Sequence, residues 1–137
     1  MSSTLPKTLW VYKNKPFARF AKKARITDVD LWKTARFINE GSIDADLGGG
    51  VIKQRIARAG EGKSGGSRSI ILFKKSNRAV FVYGFEKKDL ANIKQDELEA
   101  FRELSAVILG YTDAEMAKRV EDGVLFRVEE PKEDDDV

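Results

Sequence analysis

Lys53–Arg68 reads K-Q-R-I-A-R-A-G-E-G-K-S-G-G-S-R. It decides the fold, because it is a basic strand, a glycine-rich turn and the start of a second strand. Side chains alternate between the faces of a strand. Lys53 and Arg55 therefore share one face, while Ile52, Ile56 and Arg58 point the other way. Gly60, Gly62, Gly65 and Gly66 allow a tight, exposed backbone between the two strands. Lys53, Arg55, Arg58, Lys63 and Arg68 fall within sixteen positions, opposed only by Glu61. Such a hairpin is either a solvated turn with scattered charge or a cationic surface for phosphate.

Outward from this hairpin, more strands follow. Ser69–Lys74, S-I-I-L-F-K, is apolar on both faces, as in a central strand. Ser76-Asn77 turns the chain, and Ala79–Phe85, A-V-F-V-Y-G-F, is another buried strand. Three successive strands with short turns make an antiparallel meander. Before it come a short strand over Leu9–Lys13 and two helices. In the first, Pro16 sits in the opening turn, Phe17, Phe20, Ala21 and Ala24 mark the apolar face, and Lys15, Arg19, Lys22, Lys23 and Arg25 cover the rest. The second is capped by Thr27, buries Leu31, Ala35 and Ile38, and stops at Gly41. After the meander, Leu90–Leu109 reads as a helix with Leu98, Phe101, Leu104 and Ile108 toward the sheet. Thr112–Glu115 is a capping box for a short helix, and Val124–Val128 reads as an edge strand. The fold class is α+β, a curved antiparallel sheet backed by helices. One domain is expected over residues 1–128, with an acidic disordered tail over 129–137.

Composition narrows the chemistry. The 137 residues contain no cysteine and no histidine, which removes disulfides, thiolate metal sites and the usual acid/base residue. No metal and no cofactor are expected. No apolar run reaches transmembrane length and the N-terminus lacks a signal-peptide block, so the expected location is the cytoplasm. Net charge is +3, unevenly spread: residues 1–43 carry +6, residues 44–93 carry +5 and residues 94–137 carry −8. A basic body favours a polyanionic partner.

Two motifs fail on inspection. Gly62-Lys63-Ser64 ends like a phosphate-binding P-loop, but Ala57 stands where that motif needs glycine, and a strand follows instead of a helix. Asp44–Gly50, D-A-D-L-G-G-G, lacks the ligand spacing and closing glutamate of a calcium loop and reads as a plain loop. What remains is a set of Lys and Arg on a sheet. RNA can be cut by such a set: its 2′-hydroxyl attacks the adjacent phosphate, a base takes the proton, and guanidinium forks hold the phosphorane oxygens. A lysine among other cations has a lowered pKa and serves as base, and a tyrosine hydroxyl serves as acid.

The pairing of K-x-R at 53–55, G-x-G-K-S-G-G-x-R at 60–68 and Y-G-F-x-K at 83–87 resembles the RelE superfamily of bacterial toxins, and within it the HigB-like branch. The likeness is close over residues 44–94 and rests on element order in the flanks. It implies the toxin of a type II toxin–antitoxin system, a metal-independent, ribosome-dependent endonuclease cutting mRNA at A-site codons. It also implies an antitoxin partner, in this branch often a helix-turn-helix protein. Carried over, Lys53 and Arg55 occupy the positions of base and phosphate contact. Arg68 matches the arginine on the scissile phosphate, and Lys87 (or Lys88) the cation after the last core strand. Arg58, Lys63, Lys74, Lys75 and Lys88 would hold the RNA backbone. Tyr83 is either the acid or a core aromatic. Other readings of the resemblance are a toxin that binds gyrase without cutting nucleic acid, and a decayed protein that binds RNA or ribosomes. The acidic C-terminal part aids solubility or folds over the basic body and tunes access.

Overall fold

The computed structural model describes residues 9–56, 66–86 and 93–132. In chain order the elements are β1 (Trp10–Asn14), α1 (Lys15–Ala24), α2 (Asp28–Asn39), β2 (Ala45–Asp46), β3 (Val51–Arg55), β4 (Ser67–Lys74), β5 (Arg78–Glu86), α3 (Gln95–Leu109), α4 (Asp113–Glu121) and β6 (Leu125–Val128). The strands form one sheet in the order β2-β3-β4-β5-β1-β6. The meander β3-β4-β5 is antiparallel, and β6 joins β1 antiparallel at the far edge. The sheet is mostly antiparallel, as expected, with one exception: β1 lies parallel to β5, Trp10 opposite Arg78 and Lys13 opposite Phe81. Two helices separate β1 from the meander, long enough a crossover to return the chain in the same direction.

Both faces of the sheet are covered. Alternation along β3, β4 and β5 sends Ile52, Ile71 and Phe81 to one face, where Phe17 and Ala21 of α1 and Leu31, Ala35 and Ile38 of α2 bury them. Val51, Ile70, Leu72 and Val80 go to the other, under α3 and α4 with Ile108 and Met116. The rings of Phe17 and Phe81 meet at 5.1 Å and both are fully buried. Truncating either to alanine would cost about 3–5 kcal/mol.

The helix ends follow local chemistry. Asn14 caps α1 by accepting from the Phe17 amide at 2.9 Å. Thr27 and Asp30 form a reciprocal capping box at α2, as do Thr112 and Glu115 at α4. α3 departs from expectation in two ways. It begins at Gln95, with Ile93 and Lys94 irregular and Leu90 outside the described residues. Its inward face is Leu98, Phe101, Ser105 and Ile108, whereas Leu104 is turned out. The loop expected at Asp44–Gly50 contains the two-residue edge strand β2, paired with β3 at Ala45–Lys53 and Asp46–Ile52. Gly50 then passes beneath α3 at φ +84°, where a Cβ would lie 2.6 Å from Ser105 Oγ. Of the expected tail, residues 129–132 are irregular and 133–137 fall outside the described residues. No described helix is long and apolar enough to cross a membrane.

Candidate nucleic-acid interface

Strand register brings four of the expected site residues onto one face at one end of the sheet. Arg55 stands opposite Arg68, and Arg68 opposite Phe85. One pleat further in, Lys53 stands opposite Ile70, and Ile70 opposite Tyr83. Lys53 and Arg55 alternate with Val51, and Arg68 with Ile70, so all three cations face the α3 side. Directly paired residues have Cβ atoms roughly 4.5–5.5 Å apart, and like charges so placed are destabilising. An anion held between two such guanidiniums would offset that repulsion. Arg55 is exposed, and Lys53 and Arg68 are half-buried.

The strand that carries Lys53 and Arg55 is held from both sides. Between them, the side chain of Gln54 turns to the other face and is buried. Its Oε1 accepts from the Asp44 amide at 2.9 Å and its Nε2 donates to the Ser42 carbonyl at 3.0 Å. Asp44 Oδ2 in turn accepts from the Arg55 amide at 2.7 Å, and Ser69 Oγ donates to the Gln54 carbonyl at 3.0 Å. At the same end of the sheet but on its opposite face, Glu86 accepts from Ser67 Oγ at 3.1 Å.

Tyr83 reaches this face through an irregularity. The β4–β5 register shifts between Ile70 and Ile71: Ile71 faces Phe81, but Ile70 faces Tyr83, leaving Val82 as the extra residue. Val82 and Tyr83 therefore both turn toward α3. The Tyr83 ring is 5.9 Å from Phe85 and 6.0 Å from Phe101, and the residue is 48 % exposed. Of the two readings from the sequence, a buried core aromatic is excluded. Phe101 of α3, expected to pack on the sheet, also forms one wall of the site. Strict alternation points Tyr83 the wrong way; the adjacent Gly84 was the available signal, since a glycine inside a strand marks a bulge or a close backbone approach.

The other candidates separate into two groups. Arg58, Lys63, Lys87 and Lys88 lie outside the described residues. Lys74 and Lys75 are exposed at the opposite end, six residues or about 20 Å along β4 from Arg68. The fold does not bring them to the cluster. Among the described residues no group of acidic side chains is arranged to hold a metal ion.

A separate cavity of about 330 Å³ lies between α4 and the β1–β6 edge. There the Arg127 guanidinium stacks 4.2 Å from the Trp10 ring centre. Burial pushes the Tyr12 hydroxyl above its ordinary pKa, against the opposing pull of Arg127.

Residues 9–128 match the family model described as the RelE toxin of the RelE / RelB toxin-antitoxin system. No curated protein matches the chain.

Proposed function

The chain belongs to the RelE family of toxins from toxin–antitoxin systems, and from that premise we propose that it is a ribosome-dependent mRNA endonuclease of the HigB-like branch. One observation carries this: Lys53, Arg55, Arg68 and Tyr83 share one face at one end of the sheet. The Lys53 amine takes the proton of a 2′-hydroxyl, whose oxygen attacks the adjacent phosphorus. Arg55 and Arg68 hold the non-bridging oxygens as charge builds on them. The bond from phosphorus to the 5′-oxygen breaks, Tyr83 gives that oxygen its proton, and a 2′,3′-cyclic phosphate remains. Lys87 adds a phosphate contact from beyond the end of β5. The reaction runs in the cytoplasm, where the ribosome presents the A-site codon. Family membership implies an antitoxin partner; we propose a helix-turn-helix protein for that role.

Primer extension on an abundant mRNA after brief induction tests this. New 5′ ends within translated codons are expected with the wild-type chain and about 100-fold fewer with Arg68→Ala, the scale of losing one preorganised charge contact in a transition state. Arrested growth with whole mRNA would reject the endonuclease. An Arg68→Ala variant cutting like wild type would reject the assignment of Arg68.

A further inference from the structure

The sheet is not equally wide along its length. The β1–β5 ladder ends at Lys13 opposite Phe81, while β5 runs on to Glu86. Beyond that point Asn14, still paired with β6, caps α1, and its Nδ2 donates to the Val82 carbonyl at 3.2 Å. α1 then passes alongside the rest of β5. Between helix and strand lies a cleft of about 470 Å³, whose walls include Phe20, Lys23, Tyr83, Gly84, Phe85 and Glu86. That volume falls in the range of small-ligand pockets, roughly 300–1,000 Å³. The cleft is the back of the strand whose front carries Tyr83 toward the arginine pair.

We propose that this cleft is a nucleotide subsite, holding a residue of the same RNA strand next to the one being cut. The inference rests on the endonuclease reading above and adds a second contact region to it. Three features favour RNA here. The first is continuity, because Tyr83 and Phe85 belong to both the reactive face and the cleft wall. The second is charge: α1 carries Lys15, Arg19, Lys22 and Lys23 and no acidic residue, and Lys23 stands in the wall itself. The third is an apolar wall. The Phe20 ring is held 5.6 Å from Phe17 and lies against Gly84, which has no side chain to displace it. A cationic groove with aromatic walls is the general means of holding single strands. Among the described residues Glu86 is the one carboxylate in the wall, and Ser67 Oγ already donates to it. A phosphate belongs at Lys23, and the N–H edge of a base belongs at Glu86.

The test uses the full chain on ribosomes programmed with an mRNA carrying 4-thiouridine at single positions around the cut codon. Irradiation with the Arg68→Ala variant, in which cutting is slowed about 100-fold, is expected to join one flanking position to the peptide containing Phe20–Ala24. Reversing a phosphate contact weakens binding about tenfold, so Lys23→Glu should raise KM by that factor, with the loss in KM rather than kcat. Lys23→Arg should restore it. Lys23 is exposed, so its variants leave the core intact. Wild-type protein that leaves the mRNA whole overturns the endonuclease reading and this one with it. Wild-type cutting with an unaltered KM in Lys23→Glu overturns the subsite alone. Lys23→Glu that cuts normally but loses affinity for a polyglutamate peptide assigns the cleft to an acidic peptide and also overturns it.

Discussion

A Cβ built on Gly84 would lie 2.2 Å from Cδ2 of Phe20. The clash is with the body of a ring that Phe17 already packs against, so the ring cannot swing away freely. Overpacking of this kind costs typically 1–3 kcal/mol. Gly84→Ala should therefore lower the unfolding free energy by that amount, read as a lower urea midpoint with an unchanged m-value. Adding Phe20→Leu should recover part of the loss, because the two side chains then no longer compete for one space. Gly84→Ala at wild-type stability would mean that Phe20 does not lock the end of β5. The same residue explains what the sequence concealed. Lys53, Arg55 and Arg68 could be placed on one face by counting in twos, because β3 and the start of β4 are regular. Tyr83 could not, because the bulge at Val82 adds one residue to the count. A period-2 reading has no way to register an extra residue before the partner strand is known.

At the scale of elements, the helix caps and most strands were legible because their causes are local. Thr27 with Asp30, and Thr112 with Glu115, each sit within four residues. The inward face of α3 was not. Leu104 satisfied a helical period, yet the face that meets the sheet is centred on Ser105, because Gly50 passes directly beneath it. The parallel entry of β1 was hidden too, since pairing across two helices leaves no short-range signature. What ties α3 and α4 to the sheet is Arg78, 5 % exposed at the start of β5. Its Nη1 donates to the Ile108 carbonyl at 2.9 Å, its Nε to Asn77 Oδ1 at 3.0 Å and its Nη2 to Asp113 Oδ1 at 3.4 Å. Arg78→Met would take the charged hydrogen bond from the Ile108 carbonyl, leaving it the longer one from the Tyr111 amide at 3.3 Å, at a cost of about 1.5–3 kcal/mol, the worth of a hydrogen bond to a charged group. The Asp113 carboxylate is in full solvent, so Asp113→Asn should barely move the urea midpoint. Equal losses in the two variants would show that the ion pair, and not the carbonyl contact, joins the layers.

For the molecule as a whole, the decisive quantity is where opposite charges lie relative to one another. Residues 94–137 carry −8, and α3, with Asp96, Glu97, Glu99 and Glu103, packs on the same sheet face that presents Lys53, Arg55 and Arg68. The acidic residues of α3 thus share a side of the sheet with the cations. An RNA strand approaching Arg55 and Arg68 passes through the field of α3. Asp96 and Glu97 are committed to the start of the helix, Glu97 accepting from the Lys94 amide at 3.0 Å, but Glu99 and Glu103 are exposed and belong to no cap. At separations on the order of 12 Å in water, each carboxylate repels a phosphate by about 0.3–0.4 kcal/mol. Glu99→Gln with Glu103→Gln should then tighten binding of an RNA oligonucleotide, blocked by 2′-deoxy at the cut, about threefold in fluorescence anisotropy at 0.01 M salt. The Debye length falls from about 30 Å there to about 10 Å at 0.1 M, so the advantage should shrink as salt rises. Equal affinities at low salt would place the RNA beyond the reach of α3. A gain that persists unchanged at 0.1 M would mean that the substitutions act through contact and not through charge at a distance.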